Sequence, residues 1–225
     1  RVAIIGFSRG SSQGAGFTNL LHERGIPDLD SRYIDADGKI SFSRYISRPG
    51  ETLQAVGLFD PVATGIPETF NRSLAPSVIS GLNITVLDEQ RGSFRSDRVM
   101  PLGFSEDGRF LNVCVAGCHS DGGGGYLRDG LARRNFNLMS DYLNALRPGA
   151  PFLEKIYEPE DPRLNVVHNS REGMWPLYQF DRTIDRATPD GVNTRLLPSP
   201  PAVPGQIATE VPLPHGPQPM ERPHS

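Results

Sequence analysis

Apolar positions in this chain fall in short, separated runs. Residues 2–5 form a β-branched run that reads as a buried strand. Small residues follow, then Phe17, Leu20 and Leu21, a spacing that predicts a helix packed closely on a sheet and ending at Gly25. Residues 26–51 are polar and turn-rich, and read as an insertion with one short helix. Residues 53–59 form a second apolar strand that stops at Asp60-Pro61, and residues 64–77 read as a loop. The pattern over 79–87 fits a strand or a helix edge equally. Residues 88–98 are strongly charged. Residues 110–116 read as another buried strand, and 131–146 carry apolar residues at helical spacing up to Pro148-Gly149. Residues 151–186 look irregular, with an aromatic cluster at Trp175, Tyr178 and Phe180.

Strands alternating with helical or loop segments predict an α/β fold with a mostly parallel sheet. Its functional residues belong at the carboxyl ends of the strands. The expected division is a folded domain over 1–190 and a tail over 191–225. Nine prolines fall between 198 and 225, so the tail is expected to be disordered or polyproline-like.

Composition narrows the function classes. The 23 Lys and Arg against 26 Asp and Glu give a net charge of −3, which offers no basic face for nucleic acid. No apolar run is long enough for a membrane-spanning helix. Two cysteines, Cys114 and Cys118, are too few for a disulfide scaffold or a Cys-only zinc site. No cofactor or metal is implied. The chain opens at Arg1 on an apolar strand without an initiator Met, as a piece of a longer chain would.

Gly6-Phe7-Ser8-Arg9-Gly10 is a G-x-S-x-G between a strand and a small-residue helix, the context of a nucleophile elbow. Glycines flanking the serine are expected because a Cβ would strike the neighbouring backbone. The turn would expose the Ser8 hydroxyl at a helix N-terminus, with the Arg9 backbone N–H as an oxyanion donor. A dinucleotide loop fits poorly, since G-x-G-x-x-G is absent. Gly122 to Gly125 lack the Lys-Ser or Lys-Thr of a phosphate loop.

A serine nucleophile needs a base, and the base needs an orienting carboxylate. Asp60, at a strand's carboxyl end, is the candidate acid. Of five histidines, His215 and His224 lie in the tail, and His22 reads as a solvated helix residue. His119, placed by a glycine-rich loop, and His168, after Val166-Val167, remain; the placement favours His119 and keeps His168 as the alternative. Cys118 reads as a small buried residue, and Asp121 as a hydrogen-bonding or cation-binding one.

Four motifs in order then resemble a known family: Gly-Phe-Ser-Arg-Gly, Gly57-Leu58-Phe59-Asp60-Pro61-Val62-Ala63, Leu87-Asp88-Glu89-Gln90-Arg91-Gly92-Ser93-Phe94, and His119-Ser120-Asp121-Gly122-Gly123-Gly124-Gly125-Tyr126. Over residues 1–185 they look like the α/β-hydrolase catalytic domain of type VI secretion lipase effectors. The resemblance implies a Ser8–Asp60–His119 triad and an activity on the membrane lipids of a rival cell. It implies synthesis in the cytoplasm, delivery into a target cell, and secretion-apparatus and immunity proteins as partners. Three departures stand out: Pro61 where the family often has Thr, Gly122 where it often has Val, and no His in Asn83-Ile84-Thr85-Val86 before Asp88. The family also has strands and an oxyanion loop before its elbow, so this chain is expected to be N-terminally truncated, to lack half of the oxyanion hole and to be weakly active alone. The competing expectations are an esterase on non-phospholipid esters and a non-catalytic hydrolase-fold binding module.

Overall fold

The computed structural model describes residues 1–172 and 181–193. The aromatic cluster at Trp175, Tyr178 and Phe180, and the tail from 194 onward with His215 and His224, lie outside the described residues.

In chain order the elements are β1 (Val2–Phe7), α1 (Arg9–Arg24), β2 (Ile26–Pro27), β3 (Arg32–Ile34), β4 (Ile40–Phe42), β5 (Tyr45–Ser47), β6 (Gln54–Phe59), β7 (Val78–Val86), β8 (Ser96–Asp97), β9 (Gly103–Phe104), β10 (Phe110–Val115), α2 (His119–Gly123), α3 (Gly130–Ala145) and β11 (Val192–Asn193). The central sheet has the order β1-β6-β7-β10-β9. Its first four strands are parallel and β9 closes the edge antiparallel to β10. The protein is therefore an α/β fold built on a mostly parallel sheet.

β1, expected to be a buried strand, lies at the sheet edge with Ile5 54% exposed, while the inner strands β6 and β7 are covered on both faces. On one, Ala15 of α1 packs with Val56, Leu58 and Val78. On the other, Met139, Tyr142 and Leu143 of α3 pack with Leu82, Ile84 and Val86. Burial on two faces is why these strands read as apolar runs without alternation. Each fully buried Val, Leu or Ile contributes roughly 1.5–3 kcal/mol.

The ambiguous stretch over 79–87 is the central strand β7. Its period was hidden by buried polar side chains. Asn83 Nδ2 donates to Thr85 Oγ1 at 3.0 Å, and Thr85 Oγ1 to Asn112 Oδ1 of β10 at 2.9 Å. The insertion over 26–51 differs from expectation. It forms two antiparallel pairs, β2 with β5 and β3 with β4, around a 3-10 turn at Leu29–Ser31. No helix among the described residues is long and apolar enough to cross a membrane.

In a parallel sheet all carboxyl ends share one edge. Ser8 follows β1, Asp60 follows its neighbour β6, and His119 lies four residues beyond β10. Residues far apart in sequence are thus delivered to one rim by topology alone.

Candidate active site

The elbow begins with Gly6. A Cβ there would lie 2.6 Å from the Gly10 carbonyl oxygen, so only glycine fits. Gly10 is different: a Cβ would meet nothing within 4 Å. The expectation that both glycines are sterically required holds for the first and fails for the second. Ser8 adopts φ 62°, ψ −130° between β1 and α1. Such a conformation costs of order 1–3 kcal/mol for a residue with a Cβ. Hydrogen bonds hold it there. Ser8 N donates to Phe59 O at 2.9 Å, and Ser11 N donates to Ser8 O at 3.0 Å. The N–H groups of Arg9 and Gly10 open α1, where a helix has no internal acceptor for them.

Among the described residues, the non-glycine positions with positive φ are Ser8 and Asp60. Asp60 sits at φ 43° with its N–H on Ile84 O at 2.8 Å. Both strained positions are members of one hydrogen-bonded chain. Ser8 Oγ is 2.7 Å from His119 Nε2, and His119 Nδ1 is 2.5 Å from Asp60 Oδ2.

Asp60 is fully buried, and burial alone would push its carboxyl up. The Arg186 guanidinium and the His119 hydrogen bond outweigh that and hold it below the ordinary 3.8. An ionised carboxylate only accepts, so His119 Nδ1 carries the proton. Nε2 is then left as an acceptor facing the Ser8 hydroxyl. The arrangement can draw a proton from Ser8 and hold it.

His119 was expected on a glycine-rich loop. It opens the short helix α2 instead. The glycines after it let α2 approach the sheet: a Cβ on Gly123 would come within 2.4 Å of the Phe7 ring. Phe7 stacks on the His119 imidazole at 4.6 Å between centroids, and Phe94 meets it edge-on at 5.0 Å. Glu89 Oε2 accepts from the His119 backbone N–H at 3.1 Å. Burial pushes the Glu89 carboxyl up, but Arg91 and Ser170 hydrogen bonds bring it down from 4.5 to about 2.

The alternative base, His168, is not brought to Ser8. Its Nδ1 lies 2.6 Å from Asp121 Oδ1, its backbone N–H donates to Asp121 Oδ2 at 3.0 Å, and its ring stacks on Tyr126 at 3.8 Å. Asp121 is thereby a hydrogen-bonding residue, which also accepts from Cys118 N at 2.9 Å. Burial pushes the Cys118 thiol up to about 11, so it is no nucleophile near neutral pH. His22, expected in solvent, is half-buried with Nδ1 3.1 Å from Ser77 Oγ. No group of three or more His, Cys, Asp or Glu with metal-holding geometry exists among the described residues.

A cleft of about 370 Å³ opens beside the serine, lined by Phe7, Arg9, Gln13, Gly65 and Ile66. A larger hollow of about 460 Å³ lies at the opposite edge of the sheet, beside Val2, Gln54 and Ile79, away from the triad.

Sequence reasoning missed Arg186. Its side chain is fully buried, bonded through Nη1 to Asp60 Oδ1 and to Val86 O at 3.1 Å. No periodicity marks the segment around it. It is fixed by Ile184 N on Gln90 O, by an Arg91–Thr183 bridge, and by β11 pairing with β8. Glu89 stood within a quoted motif, but its support of His119 was not legible.

No protein-family model matches the chain, and no curated protein does. Among solved structures it is similar to an uncharacterized protein from Pseudomonas aeruginosa, at 24% identity over 74% of this chain with a TM-score of 0.45. The chain spans about a quarter of that protein's length, 26%.

Proposed function

We propose that the chain is a serine hydrolase of α/β-hydrolase type that cleaves carboxylic esters of lipids. One observation carries the chemistry: the unbroken path from Ser8 Oγ through His119 to Asp60, with Ser8 held in a strained turn at the head of α1. In this reading His119 takes the Ser8 proton as Oγ attacks the ester carbonyl. Asp60 keeps the imidazole tautomer and faces the imidazolium that forms. In the same reading the Arg9 N–H, free at the head of α1, donates to the developing oxyanion, a contribution of roughly 3 kcal/mol per donor. His119 returns its proton to the leaving alcohol. Water then cleaves the acyl-enzyme through the same base.

The lipid substrate, and delivery into a rival cell with an immunity partner, rest on the resemblance of the four motifs to type VI secretion lipase effectors. The test is a fluorophosphonate probe on the wild type and Ser8→Ala, followed by fatty-acid release from phospholipid vesicles and from a soluble short-chain ester. Labelling that disappears with Ser8→Ala, with faster release from vesicles, supports a serine hydrolase acting on lipid esters. Turnover of the soluble ester alone leaves an esterase. A folded wild type that neither labels nor hydrolyses either substrate overturns the proposal.

A further inference from the structure

We propose that Arg186 is a positioning residue of the triad, clamping one oxygen of Asp60 so that the other is presented to His119. The inference rests on the serine-hydrolase reading above. Asp60 divides its two oxygens. Oδ2 meets His119 Nδ1, while Oδ1 accepts from Arg186 Nη1 and from Val86 N at 3.3 Å. The guanidinium is itself held. Its Nη2 donates to Phe94 O at 2.5 Å and its Nε to the same carbonyl at 3.2 Å. Phe94 is also the ring that meets His119 edge-on, so one side chain ties the acid to the wall of the base.

Asp60 has no exposed surface, and a lone carboxylate there is costly. Of the charged groups around the dyad, Arg186 bonds Asp60 directly and Glu89 accepts from the His119 backbone N–H, while Arg91 and Asp121 lie one contact further out. Glu89 and Arg91 form a bidentate pair, and Asp121 is engaged by His168. Among the described residues Arg186 is the permanent cation in contact with Asp60.

Remove that cation and two things can follow. Asp60 can take up a proton, which removes the acceptor that fixes the tautomer of His119. Alternatively, the uncompensated carboxylate draws a proton onto His119. Both take the base out of action at neutral pH, and both are reversed by raising the pH. A merely structural arginine would not move the pH profile of the folded fraction.

The test is the rate of fluorophosphonate inactivation from pH 5 to 9 for wild type, Arg186→Met and Arg186→Lys, each corrected for folded fraction by thermal melting. The acidic limb is expected to move up by about one pH unit or more in Arg186→Met. In Arg186→Lys, which keeps the charge, it should stay close to wild type. The low-field imidazole proton resonance of the His119–Asp60 bond should persist in wild type and Arg186→Lys and be shifted or lost in Arg186→Met. If Arg186→Met does not fold, Arg186→Gln takes its place. A folded neutral variant with the wild-type limb overturns the proposal. A wild type that does not label removes the hydrolase reading and the proposal with it.

Discussion

Among the described residues two His–Asp pairs stand side by side in kind, one buried and one half-buried, and their surroundings differ. His119 and Asp60 meet at 2.5 Å, and His168 and Asp121 at 2.6 Å, each through Nδ1. Chemically the contacts are the same. The surroundings are not. His119 has a serine hydroxyl on its other nitrogen, and its aspartate has an arginine on its other oxygen. His168 has an aromatic ring on its face, and its aspartate spends the other oxygen on two backbone N–H groups, of His168 and Cys118. The second pair staples the segment over 165–170 to α2, the helix that carries the first pair's base. A His–Asp contact is therefore no signature of catalysis. The nucleophile on the far nitrogen decides.

The largest expected effect separates the two pairs outright. His119→Ala should lower fluorophosphonate labelling by about a thousandfold or more, as loss of a triad member does. His168→Ala should leave labelling of the folded protein within about threefold and lower the melting temperature by a few degrees, since a half-buried side-chain hydrogen bond worth about 1 kcal/mol is lost. Comparable losses of labelling in both variants would break the distinction.

The contrast also shows what could be read from the chain. Ser8, Asp60 and His119 each follow an apolar strand, so a parallel sheet puts them on one rim by topology. The α/β class followed from the same runs. His168 met the same criterion, because Asn165-Val166-Val167 resembles a strand end. Those residues form no strand in the fold; the glycine-rich stretch after His119 already favoured it, and the 2.7 Å from its Nε2 to Ser8 Oγ separates it from His168. Arg186 was harder still. It acts across 126 positions of sequence from a segment with no period and little apolar character. Long-range salt bridges from irregular segments leave no trace in spacing.

Glu89 lies between the two pairs and sharpens the comparison. Its Oε2 holds the His119 backbone N–H, while its Oε1 accepts from Ser170 Oγ at 2.7 Å, two residues after His168. Its carboxyl falls from 4.5 to about 2 on folding. A carboxyl whose folded value is depressed adds stability that is fully present above the unfolded value and lost as pH falls toward the folded one. The shift corresponds to roughly 3 kcal/mol, present above about pH 5 and lost between there and pH 2. Glu89→Gln should be less stable by about that amount at pH 7, with a flatter stability curve below pH 5. Urea unfolding across that range measures both. An acid slope identical to wild type would show that Glu89 is not the residue being titrated.

The smallest effect tests the elbow, where the first pair differs most from the second. The sequence pattern treats Gly6 and Gly10 alike, but space around them is unequal. A methyl at position 6 would be driven into the Gly10 carbonyl at 2.6 Å, and backbone cannot yield as a flexible side chain would. A methyl at position 10 meets open space on the first turn of α1. Glycine in a helix is less favourable than alanine by roughly 0.5–1 kcal/mol, part of it from the freedom of the unfolded chain. Gly10→Ala should therefore raise stability by up to about 1 kcal/mol and leave labelling of Ser8 within about twofold. Position 10 also lines the cleft beside the serine, so the same variant reports on how closely a substrate passes. A small probe that still labels fully, together with slower turnover of a bulky ester, would mean that the second glycine serves the passage of substrate rather than the turn. Loss of labelling by the small probe would mean instead that the turn itself needs glycine there, against the open space the fold shows.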